Sequence, residues 1–182
     1  LIVGADGGPL SKREGDLSLR ELRAAGYLPE ALLNYLARLG HAYDQDGWLE
    51  PADLAAGFAL EHLGRAPARY DPAQLSYWQG EAVRRMDPER LWDWMGVAVH
   101  ERVSPDDRDR FVVAVRPNLR FPADAVFWAE RLFGAEWTPS ADGRAAVAAA
   151  GSGFFTHALA AYAEHGAAYQ PLVEDLKRRT GL

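Results

Sequence analysis

The chain has 182 residues, a length between one domain and two small ones, and its 48% hydrophobic and 25% charged residues are typical of a soluble globular protein. It contains no cysteine, which excludes disulfides, thiolate catalysis and cysteine-based zinc or iron–sulfur sites. The formal net charge of −6 argues against non-specific binding to nucleic acid, although a basic face can coexist with an acidic remainder.

The first part of the chain predicts a strand, a loop and two helices. Apolar residues 1–3 predict the end of a strand, and the glycine- and proline-rich segment after them predicts a loop. Residues 18–25 carry two leucines and end at Gly26, which predicts a short helix closed by glycine. Pro29 stands where a first helical residue belongs, and leucines share one face before Gly40, which predicts an amphipathic helix.

The rest of the chain predicts further helices, most of them opened by a capping residue followed by proline. These openings are Glu50-Pro51, Asp71-Pro72, Asp87-Pro88, Ser104-Pro105 and Thr138-Pro139. The helix after Asp71 has one face made of six side chains, Leu75, Trp78, Gln79, Ala82, Val83 and Met86. We therefore expect a mainly α fold.

Two segments are expected to interrupt the helices. Residues 115–122 contain two prolines that disfavour the helical conformation in the residues before them, which predicts a joint. Gly151 and Gly153 interrupt an alanine-rich helix and predict a weaker joint. The short β-branched run Phe111–Val115 fits either a helix or a strand.

A loop near the amino terminus carries the residues best suited to chemistry. Ser11, Lys12 and Arg13 are consecutive inside a segment bordered by Gly8 and Gly15. Backbone amides and cationic side chains in such a loop can close around phosphate oxygens. Taken alone, the pattern also fits a solvated turn with two basic residues.

The sequence around this loop carries a family resemblance. The stretches concerned are Asp6–Gly15 (DGGPLSKREG), Leu19–Leu22 (LREL), Gly26–Gly40 (GYLPEALLNYLARLG) and Leu63–Leu75 (LGRAPARYDPAQL). They resemble the KMSKS region of bacterial-type glutamyl-tRNA synthetases, which are class I aminoacyl-tRNA synthetases, and the helices that follow it. The resemblance implies a carboxy-terminal fragment that starts just before the KMSKS loop and is truncated at its end. Residues 1–87 would hold the loop, a stem-contact helical region and a short amino-terminal strand, and residues 88–182 an all-α anticodon-binding bundle.

The resemblance also implies a reaction and the residues that serve it. In this family the loop closes over ATP while glutamate attacks the α-phosphate, and the glutamyl group of the adenylate then passes to tRNA. By this resemblance Lys12 is the catalytic residue, neutralising charge on the phosphates, and Ser11 and Arg13 are further ATP contacts. Pro9 replaces the first lysine of the motif, and Arg13 replaces its final serine.

The second ATP signature of the family, His-x-Gly-His, does not occur in the sequence. We therefore do not expect this fragment to be active alone. The resemblance implies a longer parent that uses ATP with Mg²⁺, glutamate and tRNA, and that works as a cytoplasmic monomer without a membrane segment.

Arg116, Asn118 and Arg120 on the proline-bounded joint are the candidate tRNA-binding residues. Unpaired anticodon bases are recognised through hydrogen bonds and stacking by exposed planar side chains, and arginine also binds phosphates. The alternative interpretation of these residues is a solvated linker.

The remaining polar and aromatic residues favour structural roles. The tryptophans at 78, 92, 94, 128 and 137 have apolar neighbours and predict core positions. Arg84 and Arg85 end a helix and complement its dipole. The histidines lie far apart in the sequence, and none has a carboxylate or histidine at ligand spacing on one helix face, so we expect no metal site. Glu174 and Asp175 are expected to be solvated helix residues, not an acid–base pair.

Two other functions remain open at this stage. One is a helical RNA- or protein-interaction module that has kept the family's sequence without its chemistry. The other is an enzyme that transfers glutamate to a modified tRNA base, against which the long segment after Met86 argues.

Overall fold

The computed structural model describes residues 2–4, 8, 18–134 and 138–181. Within these residues the fold is mainly α, and the prediction of a helical protein with a short amino-terminal strand is confirmed. The elements are β1 (Ile2–Val3), α1 (Leu19–Ala24), α2 (Pro29–Arg38), α3 (Pro51–Ala56), β2 (Ala68–Arg69), α4 (Pro72–Arg85), α5 (Pro88–Met95), α6 (Val97–His100), α7 (Arg108–Val115), α8 (Pro122–Phe133), α9 (Ala141–His165) and α10 (Tyr169–Thr180).

The helix starts follow local capping rules. Ser18 and Glu21 form a reciprocal capping box at the start of α1. The carboxylate of Asp71 accepts a hydrogen bond from the backbone N–H of Ala73 (2.8 Å) at the start of α4. These caps, together with proline in the first turn of α2, α3, α4 and α5, explain why the sequence located those helices well.

Two predicted openings lie a few residues too early. The helix expected after Ser104 begins only at Arg108, because the hydroxyl of Ser104 accepts from the N–H of Asp107 (3.2 Å) and holds a turn there. The helix expected after Thr138 begins after Ser140, whose hydroxyl accepts from Gly143 N–H (3.0 Å). At α9 a second capping residue therefore sets the helix start, whereas at α7 a turn precedes it.

The two joints predicted from proline and glycine are present. Residues Arg116–Asn118 form a 3₁₀ turn between α7 and α8, and Leu119 after them is extended. Gly151 takes a left-handed conformation (φ 70°) inside α9 and breaks its helical geometry. The ambiguous run Phe111–Val115 is helical, and three of its side chains are buried at helical spacing.

The chain divides into two compact units, Leu1–Gly134 and Ala135–Leu182. In the first unit, α2 packs against α4, and α5 packs against α7 and α8. One continuous apolar core joins them, extending from Leu22 to Ala129. The six side chains predicted to share one face of α4 are all buried. The predicted division after residue 87 separates functional regions, not packed units, and stays a prediction.

A parallel pairing also belongs to the first unit. β1 pairs with β2 in a two-stranded sheet, with Ile2 opposite Ala68. The N–H of Tyr70 continues the ladder by donating to the carbonyl of Val3 (2.9 Å). This contact places the segment before the predicted ATP loop beside the segment before α4.

The second unit is a hairpin of α9 and α10. Asp175, predicted to be solvated, is instead buried, with only 3% of its side chain exposed. Its carboxylate pairs with Arg178, with Arg179 (2.8 Å) and with His165 (3.2 Å). The prediction was wrong because His165 lies on the preceding helix, and sequence spacing along α10 does not show that contact. None of the described helices combines the length and apolarity needed to cross a bilayer.

Candidate nucleic-acid interface

Arg116 lies at the start of the joint and is half-buried. Its Nη1 donates to the carbonyl oxygens of Met86 (2.8 Å) and Arg84 (3.3 Å), which end α4. A cation at this place satisfies free carbonyls and opposes the negative end of the helix dipole. The joint is thereby attached to the carboxyl end of α4.

Arg120 lies at the other end of the joint and is exposed. Its Nη1 donates to the hydroxyl of Ser76 (3.0 Å), which lies on α4. Its backbone N–H donates to the carboxylate of Asp124 (2.9 Å), which also accepts from the N–H of Phe121 (2.8 Å). These bonds fix the backbone of the joint while leaving much of the Arg120 side chain in solvent.

Asn118 lies between the two arginines and is exposed. Its amide has no hydrogen-bond partner among the residues that the structure describes. Leu119 beside it is buried, with 1% of its surface exposed, and anchors the turn. The joint therefore presents an exposed amide, a group that can hydrogen-bond to the edge of an unpaired base.

A third arginine extends this surface along α4. Arg84 and Arg85 both pair with Glu81, and the hydrogen bond from Arg84, reinforced by that from Arg85, lowers the pKa of the Glu81 carboxyl. The guanidinium of Arg84 lies beside Gly80, where an added Cβ would stand 3.4 Å from its Nη1. Ser76, Gly80 and Arg84 follow one another at four-residue steps. Arg120, bonded to Ser76, and the Arg84 guanidinium, beside Gly80, therefore lie on the same side of α4, about 6 Å apart along its axis.

Together the joint and this side of α4 form what we call the arginine face, made of Arg84, Arg116, Asn118 and Arg120. The sequence singled out the last three for nucleic-acid contact. It assigned Arg84 to the helix dipole, a role that its place in the last turn supports. The face offers planar cations for phosphates and one amide for a base edge.

Sequence reasoning missed a buried amide behind this face. Gln79 was predicted only as part of the buried side of α4. It has no exposed surface, and its amide bonds both to the joint and to the turn before α2. The available signal was a single amide on an otherwise apolar helix face, since a buried polar side chain needs partners.

The predicted tryptophan positions agree with the structure where it describes them. Trp78 is buried, and Trp92, Trp94 and Trp128 pack partly buried against the core. The ring of Trp78 also lies under the guanidinium of Arg38, whose carbon is 4.4 Å from the ring centroid. Trp137 lies outside the described residues.

The predicted ATP-binding residues Ser11, Lys12 and Arg13 also lie outside the described residues, as does Pro9. Their roles stay predictions. The structure describes the elements on either side, β1 and α1, and a hydrogen bond from Gly4 N–H to the Gly8 carbonyl (2.8 Å) at the start of the loop.

One group of metal-ligand side chains occurs among the described residues. Candidate ligand atoms of Glu164, His165 and Asp175 lie within 4.8 Å of one another. The prediction concerned carboxylates on the same helix face and did not cover this contact, because His165 lies on α9 and Asp175 on α10. Desolvation acts to raise the pKa of Asp175, but hydrogen bonds and charges from Arg179, Arg178 and His165 outweigh it, and the pKa is lowered. Two arginines already neutralise this carboxylate, so the cluster is an ion-pair network that joins α9 to α10.

Comparisons with known proteins place the whole chain beside one group of enzymes. No protein-family model matches it. It is 49% identical over 181 residues to glutamate–tRNA ligase 2 of Nitrosococcus oceani and 46% identical over 182 residues to glutamate–tRNA ligase 1 of Halorhodospira halophila. Each match covers 100% of this chain, and the chain spans about 38% of the length of these relatives.

Solved structures give the same picture for the fold. The chain superposes on a glutamate–tRNA ligase from Elizabethkingia meningosepticum with a TM-score of 0.71 and 20% identity, covering 100% of this chain and 41% of that one. A glutamate–tRNA synthetase from Elizabethkingia anophelis gives a TM-score of 0.67 and 19% identity, with 97% and 40% covered. The predicted resemblance is thus confirmed along the whole chain.

Proposed function

We infer that this chain is the tRNA-binding part of a glutamate–tRNA ligase of the bacterial type, the family that it resembles along its whole length. The observation that carries this inference is identity of 46–49% to curated ligases without a gap in coverage of the chain. The complete enzyme would activate glutamate with ATP and transfer it to tRNA. A chain that spans about 38% of such relatives, and has no His-x-Gly-His element, would contribute to that reaction without performing it alone.

The arginine face is the proposed tRNA contact. Arg116 and Arg120 would bind backbone phosphates, and Asn118 would hydrogen-bond to a base edge. The geometry supports this division, because both arginines are held by protein partners while the Asn118 amide is free among the described residues. The net charge of −6 does not oppose it, since a local group of arginines can bind phosphates on a protein whose total charge is negative.

The loop that begins after β1 is the proposed ATP contact. Lys12 would stabilise the charge that develops on the phosphates, with Ser11 and Arg13 as further contacts. Mg²⁺ would enter with ATP in the complete enzyme. We expect a cytoplasmic monomer.

Titration of labelled glutamate-accepting tRNA with the chain tests the tRNA assignment. We expect specific binding whose affinity falls steeply with salt. Arg120→Ala should reduce the slope of log Kd against log salt by about 0.7, the value for one lost contact to single-stranded RNA. Arg108→Ala is the matched control, because Arg108 lies at the opposite end of α7 from the joint.

Asn118→Ala should weaken binding of the cognate tRNA by about 1–3 kcal/mol and leave the salt slope unchanged, as expected for a base contact. Absence of tRNA affinity even at low salt would contradict the proposed function and favour an interaction module. Equal effects of Arg120→Ala and Arg108→Ala would contradict the placement of the interface.

A further inference from the structure

We propose that Gln79 is a positioning residue that transmits RNA contact at the joint to the turn before α2. The inference rests on the proposed tRNA contact and adds a structural consequence to it. Gln79 is fully buried in the middle of α4. Its Oε1 accepts from the backbone N–H of Leu28 (2.9 Å), and its Nε2 donates to the carbonyls of Arg120 (2.8 Å) and Gly26 (3.1 Å). One amide on α4 thus bonds to a turn 51 to 53 residues before it and to the joint 41 residues after it.

The turn and the joint also touch each other directly. Gly26 has φ of +91°, and a Cβ there would stand 2.6 Å from Cδ of Pro122, so the backbone approaches the first residue of α8 as closely as glycine permits. The rings of Tyr27 and Phe121 meet edge to face with centroids 4.9 Å apart. The Nε1 of Trp94 donates to the Gly26 carbonyl (3.3 Å) from α5.

These contacts restrict the motion of the joint. Displacing the Arg120 backbone would break its bond to Gln79 and leave buried polar groups without partners, which is costly in a packed interior. The Gln79 amide cannot rotate to follow, because its Oε1 is held by the Leu28 N–H and its Nε2 is also held by the Gly26 carbonyl. An RNA that fixes Arg120 therefore also fixes the Leu28 N–H.

The turn is the first tight reversal after α1, and α1 follows the predicted ATP loop. Helix α1 spans only Leu19–Ala24, and the N–H of Tyr27 donates to the carbonyl of Leu22 (3.0 Å), so the turn is attached to α1. The structural path runs from Arg120 through Gln79 to the Leu28 turn and α1. If the path couples the two ends, tRNA bound at Arg120 changes the stability of the Leu28 turn, and that change is a free energy that can be measured at Leu28.

Amide hydrogen exchange of the whole chain, read residue by residue by NMR, tests the proposal. The Leu28 N–H reports the bond to Gln79 directly. In the wild-type chain, saturating tRNA should slow exchange at Leu28 at least about fivefold, the lower end of ordinary coupling between sites. In Gln79→Met, which keeps the side-chain length but loses the amide, tRNA should still bind, and the slowing should fall below about twofold.

Asn34→Leu is the matched control. Asn34 is an equally buried amide on α2, and it also makes three backbone bonds, to Leu49 O (2.8 Å), Leu49 N–H (3.0 Å) and Glu30 O (3.1 Å), none of them in the joint. Asn34→Leu should be destabilised to a similar extent but leaves the Gln79 bonds intact, so it should retain the tRNA-dependent slowing at Leu28. If the slowing depended only on overall stability, both variants would lose it equally. The proposed path predicts that only Gln79→Met loses it.

Phe121→Leu covers the case in which Gln79→Met does not fold. It weakens the ring contact with Tyr27 and leaves the Gln79 bonds in place, so the slowing at Leu28 should persist if Gln79 carries it. Wild-type slowing that persists in Gln79→Met would overturn the proposal, as would its loss in Phe121→Leu or in Asn34→Leu. Binding of tRNA without any change at Leu28 in the wild-type chain would overturn it while leaving the proposed function intact. Failure of the wild-type chain to bind tRNA would instead overturn the function on which it rests.

Discussion

Replacing Gly26 by alanine should destabilise the first unit by about 2–5 kcal/mol, from two separable contributions. A side chain at φ of +91° costs about 1–2 kcal/mol in backbone strain. The new Cβ would also stand 2.6 Å from Cδ and 3.1 Å from Cγ of Pro122. Overpacking of this kind costs about 1–3 kcal/mol, since a proline ring in the first turn of α8 has little room to move. A domain of this size is stable by only about 5–15 kcal/mol, so the loss is large.

Gly96→Ala is the control that isolates the strain. Gly96 has φ of +85°, nearly the same as Gly26, but a Cβ there would have no atom within 4 Å. Urea unfolding of both variants, followed by tryptophan fluorescence, should show a loss of about 1–3 kcal/mol for Gly96→Ala, whose ψ of 173° lies in a region that glycine alone adopts readily, and a larger loss for Gly26→Ala. Equal losses would show that Pro122 moves aside freely. A loss below about 0.5 kcal/mol in Gly26→Ala would refute the described turn itself.

Three further outcomes are expected. Because the pKa of Asp175 is lowered in the folded state, its stabilisation is present above the ordinary value of 3.8 and is lost as pH falls below it, through the lowered folded pKa. The α9–α10 hairpin of Asp175→Asn should therefore lose less helical circular dichroism than wild type over that acid range. Arg116→Ala should lower both tRNA affinity and the free energy of unfolding, the latter by about 1 kcal/mol because α4 loses a carboxyl-terminal cap, and parallel binding and urea experiments measure the two. Asn118→Ala should lower affinity alone, and a comparable loss of stability would argue that its amide is engaged in the fold.

The sequence predicted best what depends on neighbours in the chain. The start of α4 was found because Asp71 and Pro72 act within one turn, and the buried face of α4 followed from helical periodicity. The joint was found for a similar reason at Pro122, since Phe121 directly before it is extended. Arg116, directly before Pro117, instead keeps a helical conformation.

The sequence could not predict what depends on residues far away in the chain. The partners of Gln79 lie 41 to 53 residues from it, so its amide looked like one more member of a helix face. Asp175 looked solvated because its partner His165 lies across a turn. Strand β2 is two residues long and pairs with the far end of its unit, which no local alternation reveals.

The predicted functional boundary after residue 87 lies inside one packed core, and this changes how the two regions can act. Leu75 and Leu91, one on each side of the boundary, belong to the same buried cluster. The carboxyl end of α4 is capped from the other side by Arg116, and the middle of α4 is bonded to Arg120. A region that contacts the stem of a tRNA and a region that contacts its anticodon would then share their interior. Because close-packed interiors transmit displacement instead of absorbing it, RNA bound at the joint would be sensed on both sides of the boundary.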